Sequence, residues 1–181
     1  MRKLLTLLLL CTLSSCGGNT PAFAEYGVPQ GWVEFCQREA DLQCQPQIKA
    51  TVPASNEWLV QIAMINIAIN GRYIPAEDWD VYGHLDYWTY PKGDFADCED
   101  FVLAKIETLA QAGIPRGAMS IIIGFLQNGE GHAVLGVHLS DGRIIVLDSL
   151  HNRILPLEQA RYLKLYMMQL HGNPMIWKKL W

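Results

Sequence analysis

The sequence predicts an α+β domain in which a helix opening on a cysteine is followed by an antiparallel meander of strands. Two observations predict it. Asp97-Cys98-Glu99-Asp100 offers an N-cap and an acidic first turn ahead of the apolar positions Phe101, Val102, Ile106 and Leu109, and Gly113 with Pro115 ends the pattern. Three apolar runs follow, Ser120 to Leu126, His132 to Leu139 and Ile144 to Asp148, separated by the turn signals Asn128-Gly129 and Asp141-Gly142. Composition agrees with one packed domain, since 50% of the 181 residues are hydrophobic and 18% are charged. The net charge of −4 lacks the basic excess that nucleic-acid binding by counterion release requires.

Met1-Arg2-Lys3 and the apolar run Leu4 to Leu13 have the plan of a signal peptide, too short for a membrane span of roughly 20 residues. Two cleavage patterns compete. Leu13-Ser14-Ser15-Cys16 has the form of a bacterial lipobox, with Cys16 the candidate lipidation site, whereas Ala22-Phe23-Ala24 has the A-x-A form of ordinary secretion. We therefore expect a leader over 1–24 and a single domain over 25–181, exported to the periplasm or envelope of a bacterium and lipid-anchored if Cys16 is used. Cleavage before Cys16 removes two basic residues and leaves 12 against 18 acidic ones, an acidic mature chain.

Of the five cysteines, Cys11 leaves with the leader and Cys16 is lipidated or lost. Cys36 and Cys44 close a short polar loop, and in an oxidising compartment they read as a disulfide; two independent thiols are the alternative, and no second ligand pair supports zinc. Cys98 is then the odd thiol.

Ser55 and Asn56 can cap a helix running to about Asn70 and stopped by Gly71. Its apolar positions, Trp58, Leu59, Ile62, Ala63, Ile67 and Ile69, cover most of the circumference, so the expectation is a central helix with Asn66 and Asn70 on one face. Tyr73 to Lys92, rich in aromatics and broken by Pro75 and Pro91, reads as a packed loop region.

The chemistry gathers on Cys98, His132 and Asp148. A thiol is nucleophilic as thiolate, and a helix N-terminus favours that anion and offers its own N–H to a developing oxyanion. A base and a group that orients the base must then lie within reach. The turn chemistry supplies a geometric test. If Asp141-Gly142 formed a two-residue turn, Asp148 would oppose Leu135 and lie across the sheet from His132. If Ser140-Asp141-Gly142 form a three-residue loop with Gly142 left-handed, Asp148 opposes Val134, on the His132 side and within diagonal reach. The second register is predicted. His84, His138, His151 and His171 are read as surface or packing residues, and Asp94, Asp141 and Asp100 as loop, turn and helix-start residues.

Asp97-Cys98-Glu99-Asp100-Phe101, the upstream Tyr82-Gly83-x-x-Asp86-Tyr87-Trp88-x-x-Pro91, the Asn66 and Asn70 pair, Gly131-His132-Ala133-Val134-Leu135 and Ile145-Val146-Leu147-Asp148 together resemble the bacterial transglutaminase-like cysteine proteinases. The resemblance covers roughly Trp58 to Pro156. It implies a papain-like or transglutaminase-like core with Cys98 as nucleophile, His132 as base and Asp148 as orienter. The best-known relatives are calcium-dependent periplasmic proteases that clip a surface adhesin, and their metal-binding carboxylates match Asp97 and Glu99 here. Two carboxylates beside a nucleophile can hold a hard cation or simply complement the helix dipole, and both readings stand.

The function expected is an exported thiol hydrolase, a cysteine endopeptidase acting through an acyl-enzyme on a protein or peptide of the cell envelope. Trp88 or Asn66 is the candidate for a second oxyanion donor. The chemistry itself requires no cofactor, calcium enters only as a candidate ion that the resemblance suggests, and a monomer is expected. The alternatives are transglutaminase or amidase acyl transfer with the same three residues, and a non-catalytic envelope domain that kept the fold for binding.

Overall fold

The computed structural model describes residues 27–180, so the leader over 1–24 and Cys16 lie outside the described residues. In chain order the elements are α1 (Gln30–Glu39), α2 (Asn56–Arg72), β1 (Ile74–Pro75), α3 (Asp78–Tyr82), β2 (Phe95–Ala96), α4 (Cys98–Gln111), β3 (Met119–Phe125), β4 (Gly131–His138), β5 (Ile144–Leu147), β6 (Leu155–Pro156), β7 (Lys164–Leu170) and β8 (Asn173–Lys179). Helices pack on a six-stranded antiparallel sheet of order β6-β5-β4-β3-β7-β8. This is the expected α+β class.

The helix opening on Cys98 begins where its cap predicts. The Asp97 carboxylate accepts the Asp100 N–H at 3.2 Å. At the other end Gly113 takes φ +92° and the Ile114 N–H reaches back to the Leu109 carbonyl, which closes the last turn. The sheet side chains alternate between two cores. Ile121, Ile123, Leu135 and Val137 join the helix-side core with Leu103 and Ile106, while Ile122, Val134 and Val146 meet Ala160, Leu163 and Met168 on the other face.

The β4–β5 connection decides the site. The Leu139 N–H donates to the Arg143 carbonyl, the Gly142 N–H to the Leu139 carbonyl, and Gly142 sits at φ +89°, the left-handed conformation that favours glycine. Leu135 therefore pairs with Leu147 and Gly136 with Val146. Continued by one residue, that register sets Asp148 against Val134 and on the His132 side, as the three-residue loop requires.

Three expectations change. The helix α2 runs through Gly71 to Arg72 and is not central: Ile62 and Asn66 are buried, whereas Val60, Met64 and Ile67 are exposed. Its apolar circumference reflects one packed face and one open one. The disulfide segment is helical, because Trp32 and Phe35, one turn apart on α1, are fully buried; the Cys36–Cys44 disulfide ties that helix to the turn that follows. Finally, β7 and β8 extend the sheet beyond β3, and β7 follows the same alternation, since Met167 packs in one core and its neighbour Met168 in the other.

Candidate active site

Cys98 is the first residue of α4, and its Sγ accepts the Ala133 N–H at 3.4 Å, which brings the thiol to the start of β4 beside His132. His132 Nε2 lies 2.7 Å from Asp148 Oδ1, with both side chains almost wholly buried. An ionised carboxylate only accepts, so Nε2 carries the proton in that bond and Nδ1 is the nitrogen left to act as a base. Burial pushes the Asp148 carboxyl up, but the hydrogen bond and charge of His132, the Tyr162 hydroxyl and the Leu150 N–H outweigh it and hold the pKa below its usual value. The three sequence-predicted residues are thus gathered in one place by a helix start and two adjacent strands.

Around the thiol stands a second group. The short parallel pairing of β1 with β2 sets Ile74 against Phe95 and Pro75 against Ala96, and so carries Asp78, at the head of α3, up to Asp97. Asp78, Asp97 and Glu99 each offer an oxygen within 4.8 Å of the others. Burial, then the charges of Glu99 and Asp78, raises the Asp97 pKa to about 11; burial and Asp86 raise Glu99 to about 8. Asp78 is pushed up by burial as well, and its Oδ1 is buried with no hydrogen-bond donor. Crowded, desolvated carboxylates with an orphan oxygen suit a hard cation bound through oxygen. The cluster fits a metal ion, and a cavity of about 200 Å³ opens beside it, lined by Asp78, Asp97, Trp79 and Leu85.

This crowding reverses one expectation. The helix N-terminus favours a thiolate, yet burial, then the charges of Glu99 and Asp97, push the Cys98 thiol well above its usual pKa, and Cys98 Sγ lies 3.0 Å from Glu99 Oε2. Burial, with the neighbouring carboxylates added to it, outweighs a half-charge dipole.

The model of the bacterial transglutaminase-like cysteine proteinases matches residues 24–181. The chain belongs to that family. Among solved structures, Legionella pneumophila LapG is similar at 27% identity and a TM-score of 0.53, over 61% of this chain and 64% of that one. Its EGTA-treated form gives 25% and 0.53, over 67% and 71%. Its calcium-bound form gives 24% and 0.56, over 68% and 76%, a likeness of fold. The alignment thus spans less than two thirds of the first LapG chain. No curated protein matches.

Within this family member, two sequence-predicted oxyanion donors are engaged elsewhere. Trp88 Nε1 donates to Asp86 Oδ1 at 2.7 Å, and Asn66 Nδ2 donates to the carbonyls of His151 (2.8 Å) and Asn152 (3.1 Å). Asn66 and Asn70 do share a face, as predicted, but they clamp the loop after β5, since Asn70 Nδ2 holds the Asp148 carbonyl at 2.8 Å. Asp100 is more than a helix-start residue. It is fully buried, accepts the Thr89 N–H at 2.8 Å, and is raised to about 9 by burial and then Asp97. Sequence reasoning missed Asp78, Tyr162 and Lys105. The Glu77-Asp78 pair before an aromatic run could have pointed to Asp78; no local signal marks the other two.

Proposed function

We propose that this cysteine proteinase family member is an exported thiol endopeptidase that works through a Cys98–His132–Asp148 triad. The observation that carries the reading is the 2.7 Å contact of His132 Nε2 with buried Asp148, which leaves Nδ1 as base beside the strand residue whose N–H contacts Cys98 Sγ. His132 Nδ1 takes the thiol proton as Sγ attacks the scissile carbonyl carbon, and the same proton then passes to the leaving amine as the C–N bond breaks. Water, deprotonated by His132, attacks the thioester and frees Cys98. The first-turn N–H of Cys98 is oriented toward the developing oxyanion by the helix itself. Asp148 keeps the imidazole in the required tautomer throughout.

Asp78, Asp97 and Glu99 are the residues that would hold calcium, which the acidic cluster and the calcium-bound LapG structure support. Bound there, a dication would set positive charge against the carboxylates beside Cys98 and so favour its thiolate. The substrate class is a protein of the cell envelope; the Cys36–Cys44 disulfide supports an oxidising compartment, with the leader and Cys16 as the means of export and anchoring.

The test uses p-nitrophenyl acetate as a substrate for the thiol and an envelope proteome as a source of protein substrates. Cys98→Ser, His132→Ala and Asp148→Ala are expected to lower ester turnover, the first by about a thousandfold, and Cys98→Ser to abolish cleavage of a discrete envelope protein. Undiminished turnover by Cys98→Ser sinks the reading. Products carrying an added primary amine in place of free acid would convert it to acyl transfer.

A further inference from the structure

Asp148 is 1% exposed, so both of its carboxylate oxygens need donors within the protein. Oδ1 accepts from His132 Nε2 at 2.7 Å and from the Leu150 N–H at 2.9 Å. Oδ2 accepts from the Tyr162 hydroxyl. Tyr162 reaches it from the turn between the Leu157–Gln159 helical turn and β7, where the Leu163 N–H closes on the Ala160 carbonyl. Ala160 and Leu163 are buried against Val134 and Val146, the sheet face that also carries His132 and Asp148. The ring stands edge-on to His151, with centroids 4.6 Å apart, and His151 is in turn held through its carbonyl by Asn66 and Asn70.

We propose that Tyr162 is a positioning residue for the reaction: its hydroxyl pins the outer oxygen of Asp148, so that the inner oxygen stays on His132 Nε2 and Nδ1 is left as the base for Cys98. The inference rests on the triad reading above and extends it by one residue. A carboxylate held by one oxygen alone can rotate about its Cβ–Cγ bond and let the imidazole swing. Held at both oxygens, it cannot. Burial, the hydrogen bond to Asp148 and its charge all push the Tyr162 pKa up, so the hydroxyl remains a donor across the working pH range. The turn that carries Tyr162 is anchored in the second core, which makes that core part of the catalytic geometry.

The experiment compares Tyr162→Phe with wild type on p-nitrophenyl acetate, in the full chain. The substitution keeps the ring and its packing on His151. The expected result is a kcat lowered about ten- to a hundredfold, as when an outer hydrogen-bond partner of a functional histidine is lost, with KM unchanged. In an Asp148→Ala background the same substitution should cost less than twofold, because the group it acts through is gone. The ¹⁵N spectrum supplies a signature that a merely structural role would not move: the two His132 ring nitrogens, distinct in wild type, should converge in Tyr162→Phe. A kcat within twofold of wild type, or an equal loss in the Asp148→Ala background, overturns the proposal. Should Tyr162→Phe fail to fold, wild type decides: a slowly exchanging hydroxyl proton assigned to Tyr162 that vanishes in Asp148→Ala supports it, and a hydroxyl in free exchange refutes it. Loss of turnover in the three triad variants alongside an unaffected Tyr162→Phe removes this inference alone; undiminished turnover in Cys98→Ser removes the triad reading beneath it.

Discussion

Lys105 lies two turns beyond Cys98 on α4, has no exposed surface, and presents an Nζ with no hydrogen-bond partner, 5.8 Å from the centre of the Phe101 ring. Burial drags its pKa from 10.5 to about 7, against the pull of the Asp148 charge. The unfolded chain keeps this proton up to about pH 10.5 and the folded chain loses it near 7. Between those values the unfolded state binds more protons, so stability rises with pH; below 7 both states are protonated and the cost of the buried charge is complete. That cost works out at about 5 kcal/mol at pH 6 and about 2 kcal/mol at pH 9. Lys105→Met fills the same space with an apolar chain and removes the charge, while Asp148 retains its bonds from His132, Leu150 and Tyr162. Urea unfolding should show the variant more stable than wild type, with a gain about 3 kcal/mol larger at pH 6 than at pH 9. An equal gain at the two pH values, or a less stable variant at pH 6, would refute the argument that a buried, unpaired ammonium is being charged there.

Other perturbations reach other parts of the molecule. Replacing Cys36 and Cys44 by Ser opens a loop closed across a sequence separation of 8 and should cost about 2.5 kcal/mol by the chain-entropy relation, read as a lower urea midpoint; an unshifted midpoint would show that α1 needs no tie. A Cβ on Gly117 would stand 1.9 Å from the Ile48 carbonyl oxygen, whose extended segment is held by the Ala50 N–H on the Gly117 carbonyl. Gly117→Ala is therefore expected to cost about 3 kcal/mol, with a fall in Tm of several degrees, and an unchanged Tm would mean the backbone yields freely. On the proposed calcium site, Asp78→Asn should weaken binding of calcium by about tenfold or more in calorimetry, since it would remove a charged ligand, and an unchanged affinity would take Asp78 out of that site. In wild type, adding calcium at pH 7 should speed iodoacetamide labelling of Cys98 and EGTA should slow it, because a cation held by Asp97 and Glu99 would set positive charge beside the thiol; a labelling rate indifferent to calcium contradicts that coupling.

Much of the frame of the candidate site was written locally. Asp97 caps α4 through its own side chain, Gly113 ends it with a left-handed turn, and Gly142 sets the loop that aligns β4 with β5. Each is a short-range effect of one residue type on its neighbours, and for that reason Cys98 at a helix start and Asp148 diagonal to His132 could be read from the chain order. What surrounds them could not. Asp78 meets Asp97 only because two residues of β1 pair with two of β2, and Tyr162 meets Asp148 only because a turn anchored on the far face of the sheet returns to it. The same holds for the Asn66 donor, taken up by the 151–152 carbonyls of a segment distant in sequence, whereas the Trp88 indole meets Asp86 only two residues away within one loop.

The sequence by itself determined where the thiol stands, on which strand face the imidazole and carboxylate lie, and that one cysteine would be left unpaired, since caps, turns and period-two alternation act over a few residues. Only the tertiary structure decided the charge environment of that thiol. Burial and the convergence of Asp97 and Glu99 on Cys98 raise its pKa despite the helix dipole, and an electrostatic field is the sum over whatever the folded chain brings near.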